Sequence, residues 1–284
     1  MKNPSGVDSK ELGLAAGLVF ARYFLKTEHL HYGYWTEDLE VDISNLRQAQ
    51  DRYSDILLSH IPGGTRSILD VGCGTGVLSR RLLGEGYEVQ SVSPSPFLTS
   101  YARDIIGQEA VIHECTFEDL HLDRKFDLIL FAESFQYIDL KRVFPGCRAL
   151  LTGNGHVLIC DFFRRDDATG ASGLGGGHSL GKFYERMSEA GFGVVIDSDI
   201  TSRTAPNMDL VRDLLDQFGK PLWDLFLYFL QSNHPRLNWL ARKRYRKRID
   251  KIEGKYFSGR RNAETFRQDK SYRLVLCKPE GEEE

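Results

Sequence analysis

The stretch SILDVGCGTGVLSRRLLGEGYEVQSVSPSP, residues 67–96, decides the fold. Its apolar opening, Ser67 to Val71, breaks into Gly72-Cys73-Gly74-Thr75-Gly76, continues as helix-forming sequence to Leu83, and turns apolar again at Glu88 to Val92. Strand, glycine turn, helix and strand make a βαβ unit, which pairs its two strands in parallel. Glycines at the turn let the backbone bend tightly and approach a ligand with no Cβ in the way. The helix that follows points unpaired N–H groups at the same spot.

Outward from this unit the alternation repeats. Strand-like runs follow at Ala110 to His113, Phe126 to Phe131, His156 to Phe162, Gly193 to Ile200 and Ser271 to Cys277, and helix-like stretches such as Leu98 to Ile105 and Leu140 to Leu151 separate most of them. The rhythm predicts an α/β chain with a seven-stranded, mainly parallel sheet and helices on both faces, whose ligands bind beyond the carboxyl ends of the strands. Three regions fall outside it. Residues 1–62 read as an N-terminal helical lid, and Asp167 to Ser179 as a mobile glycine-rich loop. Residues 207–261 read as a helical cap inserted before the last strand, leaving 63–206 and 262–284 as the sheet core. The apolar Leu12 to Ala21 is too short to span a bilayer, and Leu14, Leu18, Arg22 and Leu25 have the spacing of a packed helix.

With 284 residues and a formal net charge of −3, no global field marks a nucleic-acid binder. The five cysteines (Cys73, Cys115, Cys147, Cys160, Cys277) form neither a disulfide framework nor a metal-ligand pattern, so a reduced, cytoplasmic setting and no metal are expected. The dense cations of Ala241 to Lys251 read as a solvated face, with RNA or an anionic membrane as the alternatives.

A dinucleotide loop would need a glycine at 77 and an acid near 93; the chain has Val77 and Ser93. The third glycine is Gly76, and Asp70 stands two residues before the first, a carboxylate suited to a cationic amino-acid moiety. Asp-x-Gly-x-Gly-x-Gly with strands in this order resembles the class I S-adenosylmethionine-dependent methyltransferases, clearly over Arg66 to Phe163 and weakly beyond. The resemblance implies a Rossmann-like fold, S-adenosylmethionine as cofactor, and Asp70, Gly72, Cys73, Gly74 and Gly76 around its methionine part. It resembles the tocopherol methyltransferase and cyclopropane synthase branch, where a hydroxyl residue replaces the ribose-holding acid as Ser93 does here.

The same resemblance places Thr116 where an acid usually meets the adenine, with Phe117 or Glu118 to compensate or else a solvated turn. In FDLILFAESFQYI, residues 126–138, it sets Glu133 and Tyr137 at the strand end facing the transferred methyl, though Tyr137 could equally pack. HLHYGYW, residues 29–35, is similar to a lid segment of small-molecule methyltransferases, so Tyr32, Tyr34 and Trp35 are either cofactor contacts or lid packing. His178 is either a general base or a residue at a helix start. The expected function is methyl transfer to a small, partly apolar metabolite, with Tyr137, Glu133 or His178 as base where the acceptor needs one. The rivals are an enzyme acting on RNA or membrane lipid through the basic stretch, and a non-catalytic binding protein on the same fold.

Overall fold

A computed structural model describes residues 9–107, 110–170 and 172–281. The strands β1 (Ser67–Val71), β2 (Glu88–Val92), β3 (Val111–His113), β4 (Phe126–Ala132), β5 (Leu151–Arg164), β6 (Phe192–Asp199) and β7 (Lys270–Pro279) form one sheet in the order β3-β2-β1-β4-β5-β7-β6. The first five run parallel, and β7 lies antiparallel between β5 and β6. Because β7 is reversed, its start rather than its end lies beside the carboxyl ends of β4 and β5, with Tyr272 opposite Phe162.

Successive strand residues point to opposite faces, and the core divides accordingly. Leu69, Val71, Ile129, Phe131, Val157 and Ile159 face one cluster; Ile68, Leu128, Leu130, Leu158 and Cys160 face the other. The helices are α1 (Ser9–Phe20), α2 (Leu46–Ser59), α3 (Val77–Gly84), α4 (Pro96–Ile106), α5 (Leu140–Leu150), α6 (Leu180–Glu189), α7 (Thr201–Thr204), α8 (Pro206–Leu214), α9 (Lys220–Asn233), α10 (Pro235–Tyr256) and α11 (Ala263–Asp269). Phe144 of α5 and Phe183 of α6 pack on the first face, and Tyr53 of α2, Leu82 of α3, Met208 of α8 and Phe266 of α11 on the second. Of the N-terminal stripe Leu18 is buried and Leu25 half-buried, while the side chain of Leu14 lies outside the described residues.

β5 starts at Leu151, five residues before the run expected from the sequence, because Leu151 already pairs with Phe126 despite the glycines between. The glycine-rich loop is also tied down, against expectation. Asp269 accepts hydrogen bonds from Gly170 N (2.9 Å) and Ser172 N (2.6 Å), and the buried Lys270 ammonium donates to Gly176 O (2.7 Å). Two charged side chains at the junction of α11 and β7 thus satisfy backbone groups that a free loop would give to water.

Residues 26–36 form no helix or strand and cross the carboxyl ends of the sheet as a strap. Other elements supply its backbone partners. Thr75 Oγ1 donates to Glu28 O (2.7 Å), Tyr32 N to Glu133 Oε1 (2.7 Å), Gly33 N to Asn207 Oδ1 (2.8 Å) and Tyr34 N to Ala49 O (2.8 Å). His31 stacks on Tyr53 with ring centroids 4.4 Å apart and bonds Nε2 to His29 Nδ1 at 2.9 Å. Burial holds both imidazoles far below their usual range, to about 4 for His29 and about 3 for His31, so they brace the strap as neutral groups. The strap meets α8 through Asn207 and Met208. The apolar run Pro221 to Leu230 has no buried residue.

Candidate active site at the carboxyl ends of the strands

The loop between β1 and α3 is shaped by close approach. Gly72 has φ +80°, and a Cβ there would lie 2.4 Å from Ser134 Cβ. Ser134 is fixed in turn by its hydroxyl, which donates to Val71 O. Gly76, at φ +83°, lets α3 start against Ile106 and Ala102 of α4, where a Cβ would come within 2.9 Å of Ile106. At Gly74 nothing stands within 4 Å of a built Cβ. Gly72 N and Cys73 N are taken by Val92 O, and Gly76 N by Cys73 O. The N–H groups of Gly74 and Thr75 have no partner among the described residues, so the loop offers two donors beside the open space at Gly74.

Beside it lies a buried cluster of carboxylates and phenols. Glu133 follows β4 in the left-handed region, φ +56°, uncommon for a residue with a side chain. Its Oε1 accepts from Tyr32 N and from Tyr272 OH at 2.6 Å, and Tyr272 OH also stands 3.1 Å from Tyr53 OH. Tyr53 OH donates its one proton to Cys160 O (3.1 Å), so the single Tyr272 proton is shared between Glu133 Oε1 and the Tyr53 oxygen. Oε2 of Glu133 takes no hydrogen bond among the described residues. Burial raises the Glu133 carboxyl to about 8, with Asp161 adding to the rise against the pull of Tyr272 and Tyr32. Burial likewise raises Asp161 to about 7, against hydrogen bonds from the backbone N–H groups of Gln136 and Phe162 and the Gln136 side chain. Two carboxyls on neighbouring strands that resist joint ionisation provide a proton-accepting site poised near neutrality.

Several residues expected at the site do other work. Asp70, 1 % exposed, accepts from Ser79 Oγ at 2.5 Å and is raised to about 6 by burial. It braces the first turns of α3 from inside the protein through Oδ2. The Cys73 thiol is buried and pushed up to about 12 by that burial, which leaves it inert. Trp35 packs with Leu39, Ala49 and Leu210, away from the loop, because the strap turns down between α2 and α8. Tyr34 lies half-buried on the core, and Tyr32 packs among Phe162, Phe266 and Tyr272.

Phe117 is core, edge-on to Phe131 at 5.5 Å. Thr116 donates to Asp119 and fixes its own turn, and Glu118 accepts from Asp139 N (3.0 Å) and ties that turn to the start of α5. His178 is set against carbonyls, with Nε2 2.9 Å from Ile138 O, which commits that nitrogen as a donor and removes it as a base. Tyr137 is 78 % exposed, and partial desolvation, with the Asp161 and Glu133 carboxyls adding to it, raises its phenol, so it stays protonated at neutral pH. Ser93 is buried at the end of β2, and its Oγ accepts a long bond from Ser95 N (3.4 Å).

Sequence reasoning missed Asp161, Tyr272, Tyr53 and Asn207. A lone acid inside the apolar run VLICDFF was a usable signal for Asp161; the others depend on long-range meetings. A recess of about 740 Å³ opens beside the strap between Arg22, Arg47 and Arg81. Neither Gly74 nor Glu133 lines it, so it is separate from this cluster.

Residues 69–159, which contain the loop, β2, β3, β4 and Glu133, match a family model described as a methyltransferase domain. This segment is a methyltransferase domain. An uncharacterized methyltransferase of Mycobacterium tuberculosis is 31 % identical over 98 residues, which cover 34 % of this chain and 40 % of that one. The chain thus aligns with less than half the length of that curated relative. Two solved structures share the fold over nearly the whole length. The cyclase SpnF has a TM-score of 0.67 at 20 % identity and covers 96 % of this chain and 95 % of its own. A cyclopropane synthase of Mycobacterium tuberculosis has a TM-score of 0.65 at 17 % identity, covering 97 % and 100 %. The methyltransferase domain is therefore set in a class I fold, with strap and helical excursion included in the structural match. Among the described residues no helix is long and apolar enough to cross a membrane, and no cluster could hold a metal ion.

Proposed function

We propose that the chain transfers a methyl group from S-adenosylmethionine to a small, partly apolar acceptor, with Glu133 taking the acceptor's proton. The observation that carries this is the open space at Gly74, with two unpaired N–H donors, beside the half-buried Glu133 carboxyl that desolvation raises to about 8. The loop fits the cofactor: Gly74 and Thr75 would hold the methionine part, and the Ser93 hydroxyl would hold the ribose. When bound, S-adenosylmethionine supplies a methyl on positively charged sulfur, already activated for displacement. The protein aligns the nucleophile and excludes water. Tyr272 and Tyr32 N hold Oε1 of Glu133, which leaves Oε2 to accept a proton from a hydroxyl, amine or acidic carbon. Tyr32, Phe162 and Phe266 form the aromatic wall behind it, suited to an acceptor with apolar surface.

Titration calorimetry is expected to show binding of S-adenosylmethionine and of its demethylated product, and no comparable binding of a nicotinamide dinucleotide. Incubation with methyl-labelled cofactor and a metabolite extract should label a small molecule. Dinucleotide binding without S-adenosylmethionine binding would overturn the assignment, and cofactor binding with no labelled product would reduce it to a binding protein.

A further inference from the structure

We infer that the α9–α10 hairpin docks the protein on an anionic lipid surface. From Leu222 to Leu230, eight of nine residues are apolar, and α9 buries none of them. Leu225 is 64 % exposed, and Leu222, Phe226, Tyr228 and Phe229 are exposed around the same helix. The patch continues onto the first turns of α10, where Trp239 and Leu240 are exposed too. Contiguous apolar surface of this extent marks an interaction site rather than a solvated face. The hairpin is a formed structure: Trp223 Nε1 donates to Glu253 Oε1 at 3.1 Å, joining the two helices.

Charge selects the occupant. The 22 residues of α10 carry nine Lys and Arg against Asp250 and Glu253, a local charge of +7. The whole chain is at −3, so the remainder is at −10. An anionic leaflet would attract the hairpin and repel the rest, which orients the molecule with α9 and α10 down. Lys243 lies 4.8 Å over the Trp239 ring, so a cation and an interfacial aromatic share one patch. A two-fold pairing of chains through this face would set +7 against +7. RNA would meet the cations but would leave the aliphatic face of α9 exposed, since Lys220, the sole cation of α9, is paired with Asp224 at 2.7 Å. The lipid surface covers both. The sequence alone favoured a solvated basic stretch; the unburied α9 beside it reverses that preference.

The inference stands apart from methyl transfer, because docking is read without cofactor or acceptor. The full chain should sediment with vesicles of phosphatidylcholine plus phosphatidylglycerol, not with phosphatidylcholine alone, and should be released as salt rises from about 0.15 M to about 1 M. K243E/R244E/R246E/K247E should weaken binding at least about tenfold, as should L225S/F226S/F229S. Both should melt like the parent, because the substituted residues are exposed. Equal binding to both vesicle types, or to neither, would overturn the inference. So would a dimer dissolved by the serine variant, or RNA binding without vesicle binding.

Discussion

Glu133→Gln is expected to lower turnover by about 10²–10⁴-fold, the usual share of a general base, with cofactor affinity changed little. The amide oxygen can still accept from Tyr32 N and Tyr272 OH, so the strap keeps its anchor while the proton acceptor is lost. The pH dependence separates this from a structural role. With its carboxyl at about 8, Glu133 is mostly protonated at neutral pH, so the wild-type rate should climb as pH approaches 8 and that limb should vanish in the variant. An acceptor that needs no base would show an unchanged rate.

Stability should move the opposite way. The folded values of about 8 for Glu133 and about 7 for Asp161 lie above their ordinary 4.5 and 3.8, so the folded state binds more protons between those limits. Their contribution is full below about pH 4 and is lost as pH rises through 7 and 8. Above that range the permanently neutral Gln variant should melt higher than the parent. A melting temperature that fails to cross over would show that Glu133 ionises without cost.

Gly72→Ala is expected to cost about 2–5 kcal/mol of stability, the sum of left-handed backbone strain and overpacking. The new methyl would sit 2.4 Å from Ser134 Cβ, and Ser134 cannot retreat without breaking its bond to Val71 O. Denaturant unfolding would measure the loss. Gly74→Ala is the informative partner. Its methyl meets no protein atom within 4 Å, so it should cost only about 1–2 kcal/mol for its positive φ while entering the space proposed for the cofactor. Calorimetry should then show cofactor binding lost in a folded protein. Retained binding would move the cofactor off this loop.

The contrast between these glycines shows what the sequence could reveal. The loop was legible because a backbone that bends at φ near +80° leaves a glycine in the sequence, and the runs Ser67 to Val71 and Glu88 to Val92 match the strands end for end. Glu133 was legible from its place after a buried strand. Tyr53 and Tyr272 were not, because a contact spanning 219 residues leaves no local pattern and depends on the reversal of β7. For Trp35 and Glu118 the resemblance left both a cofactor contact and a packing or turn role open; Trp35 packs against Leu210 and Glu118 accepts from Asp139 N.

The strap behaves like a ruler. Glu28 is fixed at the glycine loop, Tyr32 at the end of β4, Gly33 at α8 and Tyr34 at α2, each through its own backbone atoms. Side chains along it are free to vary wherever they do not pack. Its length is not: deleting one residue between Glu28 and Tyr34 would offset every later carbonyl and N–H from its partner at once. Insertions and deletions that evolution accepts in most surface loops should therefore be absent from this one.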